Sequence, residues 1–450
     1  MGRVFGWLTC GVIALPAAAF AATPVTTDRI GGHEVWTAAA SPYLVEQDLT
    51  ILGDAELVLE PGVEVRFANQ DAAGVGLDPK RVELVVLGAL RASGTSASPI
   101  LLGAAEGDFA NSWAGVRVAP SSTQASFAYV TIEAAKTALD SGASDRVLSV
   151  DHCTLRKSFD GLHITAGAPR LTGLKLESNS VSGLHLESVT ARADLRLENS
   201  VVRLNGSYGI LLEVGHTQDM SASITSSTIY GNTSAGITTQ AQGTTRATVQ
   251  VTGSIVANNG IVGIESRALD GASVDTQVTY SNVVDNGMSF VGVTAGDGCI
   301  SEPAAFVDAP WDLRLAPGSP CIDSADTATS PSTDIDGTAR PVGDASDMGA
   351  YELTTTAEGG QAGATSAAGA GTTAGATHAA GTTNAAGTTN AAGGTDQPAG
   401  SGGMLTPNVG GSSSSSGCAC RFGVERPNTP WWLLLALAAH RARRRRRHRS

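Results

Sequence analysis

The chain has 450 residues, enough for two or three ordinary domains, but its composition does not suit several compact ones. It contains 54 glycines, only 5% aromatic residues and only 16% charged residues, which favours thin, repetitive β-structure over helical bundles. The formal net charge is −13, and residues 22–420 alone carry about −22, because both ends of the chain are basic. Because residues 22–420 are this acidic, they should repel the phosphate backbone of a nucleic acid. We therefore expect no nucleic-acid partner.

The first 21 residues have the pattern of a secretory signal peptide. Arg3 supplies a short positive region, residues 4–20 are mostly apolar, and Ala19-Phe20-Ala21 is a cleavage site of small-x-small type. A lipoprotein is the less favoured alternative, because Cys10 comes too early in the chain. We expect an exported protein, located at the cell surface or outer membrane or in the extracellular space, where disulfides are chemically possible.

The next part of the chain has irregular strand patterns. Residues 22–56 are predicted to form an N-terminal segment and cap, because an uncovered apolar end of a repetitive fold would recruit other chains. Alternating apolar runs follow at 57–67, 84–90 and 99–102, the first of them around a Pro-Gly turn.

A regular repeat then begins, in which a small residue is followed by an aliphatic, a polar and usually another aliphatic residue. Its copies start 22 to 29 residues apart, at Gly115, Ala138, Gly161, Gly183, Gly209, Gly236, Gly263 and Gly292. Four copies have an asparagine four residues earlier, which suits a corner between strands and a ladder of stacked amides: Asn179, Asn205, Asn232 and Asn259. No copy contains a helix-length amphipathic run. The repeat therefore predicts short parallel strands, with Leu162, Leu184 and Ile210 stacked inside.

This pattern, over about residues 40–350, resembles the right-handed parallel β-helix of the pectin-lyase-like superfamily. The predicted fold class is all-β: a right-handed parallel β-helix (solenoid) at residues 57–298, with capped ends, followed by a disordered linker. The alternative is an antiparallel sandwich, which would place hairpins between longer strands.

Residues 299–354 carry a series of short motifs after the repeats, namely Trp311-Asp312-Leu313, Gly318-Ser319-Pro320-Cys321, Asp334-Ile335-Asp336-Gly337, Arg340-Pro341 and Asp347-Met348-Gly349-Ala350-Tyr351. Their order is similar to the choice-of-anchor Q region, which follows β-helices in exported bacterial proteins. That resemblance implies surface display and names no reaction. Cys299 and Cys321 flank one short segment, so we expect a disulfide between them, with Cys153 left as a small buried residue.

The C-terminal part has two low-complexity regions. Residues 355–417 consist mainly of Gly, Ala, Thr, Ser and Asn and are predicted to be a disordered linker. Residues 418–450 contain Cys418 and Cys420, a short apolar stretch at 431–439 and an arginine cluster. This order resembles the MYXO-CTERM sorting signal, which implies cleavage near the cysteines by a membrane protease and transfer to the outer surface. A single-pass anchor is the alternative, although nine apolar residues span only about 14 Å as a helix.

The sequence contains few candidates for catalysis. It has no Asp-Asp pair and none of the Asn-Thr-Asp, Gly-His-Gly or Arg-Ile-Lys motifs of pectin-lyase-like enzymes. His163 and His185 each follow a repeat glycine by two residues, so they should stack on the outer surface with Glu187 nearby. Two histidines beside a carboxylate could perform acid–base catalysis. The same column continues as Leu211, Thr238, Glu265 and Thr294, as a freely varying surface would.

The sequence also contains candidate ligands for calcium. Asp334, Asp336 and Asp347 lie in an acidic region, but an EF-hand would need a glutamate where Ala345 stands. Aspartates in tight turns are the commoner explanation. No other cofactor is expected.

These features favour an exported, surface-displayed, non-catalytic β-helix that acts in adhesion, in matrix or polysaccharide binding, or in envelope structure. Its expected partners are a polysaccharide or cell-surface matrix, a membrane through the C-terminal tail, and a sorting protease. The alternative is a polysaccharide lyase or glycoside hydrolase, in which His163 and His185 line a groove with carboxylates. A third hypothesis is a Ca²⁺-stabilised spacer.

Overall fold

The computed structural model describes residues 22–354, except 75, 146 and 216, and the chain there passes repeatedly through three parallel sheets. Strands are numbered in chain order. Sheet A contains β1 Thr23–Val25, β4 Tyr43–Val45, β7 Glu64–Phe67, β10 Ile100–Ala104, β13 Val130–Glu133, β16 Thr154–Arg156, β19 Lys175–Glu177, β22 Val201–Arg203, β25 Thr228–Tyr230, β28 Ile255–Ala257 and β31 Asn282–Val284.

Sheet B contains β2 Arg29–Ile30, β5 Leu49–Ile51, β8 Glu83–Val86, β11 Gly115–Val118, β14 Thr137–Ser141, β17 Asp160–Ile164, β20 Ser182–Ser188, β23 Tyr208–Val214, β26 Ala235–Gln242, β29 Val262–Leu269 and β32 Phe290–Val291. Sheet C contains β3 His33–Trp36, β6 Glu56–Leu59, β9 Ala89–Ser93, β12 Gln124–Ala128, β15 Leu148–Asp151, β18 Arg170–Thr172, β21 Leu195–Glu198, β24 Met220–Thr225, β27 Arg246–Thr252 and β30 Ser273–Thr279. One turn of 3₁₀ helix spans Ala38–Ala40, and β33 Phe306–Asp308 pairs antiparallel with β34 Asp312–Leu315.

Each strand pairs with its equivalent one coil later, which is the topology of a parallel β-solenoid and not of an antiparallel sandwich. The predicted interior stack is confirmed, because Leu162 pairs in register with Leu184, and Leu184 with Ile210. All three side chains are fully buried. Burying an aliphatic side chain contributes about 1.5–3 kcal/mol, so the repeated aliphatic positions build the core coil by coil.

The predicted asparagine ladder is also confirmed. Asn179 donates through Nδ2 to Oδ1 of Asn205 at 3.0 Å, and the pattern repeats through Asn232 and Asn259 to Asn286 at 2.9 Å per step. Two features were not predicted from the sequence, namely Asn286 and a second ladder, which is formed by serines. In that ladder, the backbone N–H of each serine donates to the hydroxyl of the serine one coil later, at Ser200, Ser227, Ser254 and Ser281. Their constant spacing of 27 residues was the available signal.

The repeat glycines lie where coils approach most closely. A Cβ added to Gly183 would lie 2.8 Å from the carbonyl oxygen of Gly209 and 2.8 Å from Nδ2 of Asn205, so only glycine fits without a shift. The eighth predicted copy, at Gly292, is out of register. Phe290 pairs with Ile264, so the last coil is shorter than the sequence repeat indicated.

The solenoid begins earlier than predicted. Residues 22–56 were expected to form a cap, yet strands β1 to β3 form a complete coil from Thr23 to Trp36, and β4 to β6 form the next. Trp36 stacks on Tyr43 with ring centroids 4.4 Å apart, and both are buried. These aromatic residues fill the interior where later coils use Val, Leu and Ile, which is why the repeat motif did not reveal them.

Residues 299–354, called the C-terminal segment below, fold back along the outward face of sheet A. Leu313 and Ile335 pack with Val201, while Cys321 and Met348 belong to a cluster around Ile255. The backbone N–H of Ala350 donates to Oγ1 of Thr228 at 3.0 Å. Strands β22, β25 and β28 therefore bury residues on both faces, because the C-terminal segment covers the outer one.

The predicted Cys299–Cys321 disulfide is not formed, and both thiols are free. Cys299 packs against the main core and its Sγ lies 3.2 Å from the carbonyl oxygen of Val278. Cys321 lies in the outer cluster, where its Sγ accepts from Nδ2 of Asn282 at 3.1 Å. The two thiols are thus held on different sides of the last strand of sheet A. Cys153 is buried as predicted, and burial raises the pKa of its thiol to about 12.

Among residues 22–354, apart from the three positions not described, no helix has the length and apolar character required to cross a bilayer. The predicted signal peptide, linker and sorting tail, including Cys418 and Cys420, lie outside the described residues.

Candidate functional site

The outward face of sheet B carries a column of titratable side chains, here called the histidine column. Asp140, His163 and His185 are register partners on three successive coils, in strands β14, β17 and β20. Glu187 and Glu213 are likewise partners, two residues further along their strands. Side chains alternate between the two faces of a strand, so all five point away from the aliphatic core.

The two histidines stack, as the repeat predicted, with ring centroids 4.9 Å apart and planes inclined by 32°. Nδ1 of His163 lies 2.9 Å from Oδ1 of Asp140, and Nε2 of His185 lies 2.8 Å from Oε2 of Glu213. Nε2 of His163 lies 3.4 Å from Oε2 of Glu187, without good hydrogen-bond geometry, and is itself buried. Each histidine is therefore matched with at least one carboxylate.

Two pKa values reflect this pairing. Burial lowers the pKa of His163, but the hydrogen bond and charge of Asp140 and the charge of Glu187 outweigh it, so the pKa is raised. The hydrogen bond from His185 lowers the pKa of Glu213 more than burial raises it. The pairing therefore favours the protonated form of His163 and the ionised form of Glu213, which is the usual electrostatic result of close opposite charges.

A small cavity borders the column at its N-terminal end. It has a volume of about 140 Å³ and is lined by Arg117, Lys136, Asp78 and Asp140, among other residues. Nζ of Lys136 lies 3.0 Å from Oδ2 of Asp78, and Nε of Arg117 lies 3.9 Å from Oδ2 of Asp140. The cationic groups of the cavity are thus also matched with carboxylates.

Asp140 and Glu213 are members of the column that the sequence analysis did not name. Asp140 follows Ala138 by two residues, as His163 follows Gly161, and Glu213 follows Gly209 by four residues, as Glu187 follows Gly183. The offset within the repeat was therefore the signal that could have found them. Further along the same row of outward positions, Glu265 pairs with Val291 and not with Thr294, the residue that the repeat predicted there.

The candidate calcium ligands do not converge. Asp334 Oδ1 accepts from the backbone N–H groups of Asp336 and Thr338, at 2.9 and 2.7 Å, which forms a tight turn. Asp347 accepts from Asp323 N at 2.8 Å and from Leu353 N at 2.7 Å, and burial raises its pKa to about 6. Within the described part of the chain, no cluster of three or more His, Cys, Asp or Glu side chains could hold a metal ion.

A comparison with protein families supports the architecture. A family model described as a right-handed beta helix region matches residues 114–299. No curated protein matches the sequence. Among solved structures, the pectate lyase Pel9A is similar with a TM-score of 0.40 and 13% identity, over 72% of this chain and 98% of that chain. A variant of the periplasmic alginate epimerase AlgG is similar with a TM-score of 0.37 and 12% identity, over 61% of this chain and 75% of that chain. The family model and the sheet topology together show that the chain contains a right-handed parallel β-helix.

Proposed function

We propose that this protein is an exported, surface-displayed β-helix without catalytic activity, which acts in adhesion, in matrix or polysaccharide binding, or in envelope structure. The non-catalytic part of the proposal depends on one observation. Both ring nitrogens of His163 face carboxylates, Asp140 at 2.9 Å and Glu187 at 3.4 Å, and Nε2 is buried.

A general base needs an accessible lone pair within hydrogen-bond reach of the proton that it removes. Because both ring nitrogens of His163 face carboxylates and Nε2 is buried, the side chain presents no such lone pair to the outer surface. Networks of this kind, in which each charge has a partner, are also common as purely structural features. The histidine column therefore supports a stabilising role for these residues between coils.

Export and surface display are proposed from the sequence pattern of residues 1–21, 355–417 and 418–450. The tail is proposed to contact a membrane and a sorting protease before or after processing. A repetitive fold that displays long outward faces is suited to extended binding surfaces, which agrees with a role outside the cell.

The proposal is tested by incubating the purified chain with plant, algal and bacterial polysaccharides, and by measuring both sedimentation with the polymer and release of new ends. We expect retention on at least one polymer, or on none if the role is structural, and no release of reducing ends or unsaturated products. Release of either product would show a lyase or hydrolase instead. In that case Asp140, which lines the 140 Å³ cavity, and its hydrogen-bond partner His163 are the first residues to substitute.

A further inference from the structure

A second and larger cleft, of about 520 Å³, lies between sheet A and the C-terminal segment. Its lining includes Thr131, Thr154 and Lys175, which are register partners in strands β13, β16 and β19. Neighbouring strands of a sheet are about 4.8 Å apart, so these three side chains form a row across three coils. Residues 333–337 form another wall of the cleft.

The corner between sheets C and A also lines this cleft. The rings of Tyr129 and His152 stack there, with centroids 5.0 Å apart and planes inclined by 18°. The next residue of the corner is Gly173, at φ +67°, and a Cβ at this position would lie 3.0 Å from the ring of His152. The His152 ring therefore lies directly over Gly173, and a side chain at this position would collide with the ring.

Most polar side chains of the cleft have no partner within the described chain, whereas Nδ1 of His152 lies 3.1 Å from Oδ1 of Asp151. Seven lining residues have side-chain hydroxyl, ammonium or carboxylate groups that make no hydrogen bond or ion pair with the rest of the described chain: Ser96, Tyr129, Thr131, Thr154, Lys175, Thr333 and Asp336. The histidine column differs, because its charged groups pair with one another. Free donors and acceptors collected in one cleft are the usual means of orienting a polar ligand.

The wall made by residues 333–337 is held in place. Asn199 donates through Nδ2 to the carbonyl oxygen of Thr333, and Ile335 is buried against Val201. The Asp334 carboxylate, bonded to the N–H groups of Asp336 and Thr338, fixes the turn between them. A cleft that is formed before binding loses less entropy when a ligand enters.

The charges of the cleft nearly cancel, because Lys175 is balanced by Asp336, and the surrounding body of the chain is acidic. A polyanionic ligand would meet repulsion from this body, whereas an uncharged, hydroxyl-rich ligand would not. The volume lies within the range of about 300–1,000 Å³ that small-molecule sites occupy. We propose that this cleft binds one or two uncharged sugar units of a polysaccharide chain, and so provides the recognition site for the binding role proposed above, on which this inference rests.

The test is affinity electrophoresis of the purified chain in gels that contain neutral glucan, mannan or galactan, with polygalacturonate as a charged comparison. The variants are Lys175→Ala and Thr154→Val. Their matched controls are Lys80→Ala, an exposed lysine without an ion pair, and Thr248→Val on the outward face of sheet C. Circular dichroism and the melting temperature check that all four variants fold.

We expect a neutral polysaccharide to retard the unmodified chain. Lys175→Ala should raise the Kd about tenfold and Thr154→Val about fivefold, because each variant loses a hydrogen bond, from a charged and from a neutral group respectively. Both control variants should bind like the unmodified chain. If a polymer retards the chain and neither cleft variant changes this retardation, the cleft is not the binding site, and the proposed function is unaffected. Retardation by polygalacturonate alone would overturn the uncharged ligand class, and retardation by no polymer would overturn the cleft and leave only a structural role. Release of soluble product would instead overturn the proposed function.

Discussion

Arg340 and Glu352 form an ion pair whose side chains have no exposed surface, with Nη1 of the arginine 2.9 Å from Oε2 of the glutamate. The guanidinium also donates to the carbonyl oxygens of Asp347 and Gly349, at 2.7 and 2.8 Å. The carboxylate accepts from the backbone N–H groups of Val342 and Asp347. This pair thus connects the turns of the C-terminal segment to each other.

Arg340→Met should release the C-terminal segment from sheet A. Removal of one partner leaves a buried, uncompensated charge on Glu352, which costs about 3–5 kcal/mol. The result is measured by urea unfolding and by limited proteolysis, which should cut within 299–354 much faster. Arg314→Met is the matched control, because the Arg314 pair with Asp312 is exposed and should contribute less than about 1 kcal/mol. Equal effects of the two substitutions would contradict the structural role of the buried pair.

Asn205→Ala should strongly destabilise the solenoid. The substitution removes the acceptor of Asn179 Nδ2 and the donor to Asn232 Oδ1, and it leaves the carbonyl oxygen of Leu176 without its side-chain partner. Unmade buried hydrogen bonds cost about 1–3 kcal/mol each, so we expect a loss of about 2–4 kcal/mol in the free energy of unfolding. Gln250→Ala, at an exposed position of β27, should change it by less than about 0.5 kcal/mol. The free energy of unfolding of both variants is measured by urea denaturation. If Asn205→Ala leaves it unchanged, the amide hydrogen bonds of the ladder contribute little to stability.

Gly183→Ala should also destabilise the solenoid, by about 1–3 kcal/mol, because its Cβ would meet backbone and Asn205 atoms at 2.8 Å. Gly53→Ala is the matched control, since no atom lies within 4 Å of a Cβ there and its φ is not positive. Alanine at such an open position is neutral or raises stability, through a smaller entropy of the unfolded chain. The melting temperature of Gly183→Ala should therefore fall, whereas that of Gly53→Ala should stay the same or rise. A Gly183→Ala protein as stable as the parent would mean that the coils can separate at this corner.

Asp48→Asn should stabilise the protein at neutral pH. Burial raises the pKa of Asp48 to about 6, despite the hydrogen bond from the Glu83 backbone, and the nearby charges of Asp71 and Glu83 raise it further. A folded pKa above the unfolded value of 3.8 means that this group stabilises the fold at low pH, and that the contribution is lost as the pH rises from about 4 to about 6. The neutral amide should remove this loss and add about 1–2 kcal/mol above pH 7.

The measurement is the free energy of unfolding from pH 4 to pH 8, for the parent and for two variants. The difference between Asp48→Asn and the parent should grow through the pH 4–6 window and then stay constant. Asp54→Asn, at an exposed position of the adjacent turn, should follow the parent curve. If the difference in the free energy of unfolding between Asp48→Asn and the parent does not depend on pH, the Asp48 carboxylate does not have a raised pKa in the folded protein.

His163→Gln should have the opposite pH dependence. The pKa of His163 is raised in the folded protein by Asp140 and Glu187, against the effect of burial. The ion pairs therefore stabilise the fold fully below the unfolded histidine pKa of about 6.5, by about 1 kcal/mol, and this contribution is lost as the pH rises through the higher folded pKa. Calorimetry from pH 5 to pH 9 should show the stability difference between parent and variant shrinking above pH 6.5. His33→Gln removes an exposed histidine paired with Glu56 and should give a smaller difference. A His163 difference that increases with pH would show a neutral ring.

The repetitive part of the fold could be predicted because its contacts are periodic. A residue in a solenoid meets its equivalent one coil away, so the spacing of Leu162 and Leu184, or of Asn179 and Asn205, reveals a spatial contact directly. The stacking of His163 on His185 follows from the same rule. The pairing of His163 with Asp140 and Glu187 does not, because it depends on side-chain conformations rather than on spacing.

The sequence alone determined the short parallel strands, the interior aliphatic columns and the asparagine corners, because each is a local pattern that recurs with every coil. Only the tertiary structure decided where the non-repeating segments lie. The contact of Ala350 with Thr228 joins residues 122 positions apart, and no periodicity predicts it. That contact and the buried Arg340–Glu352 pair place residues 333–337 beside Thr154 and Lys175. The cleft exists because a segment without a repeat packs against a sheet built from repeats. The contacts that stabilise this packing occur once each and do not recur from coil to coil, so the sequence repeat could not predict them.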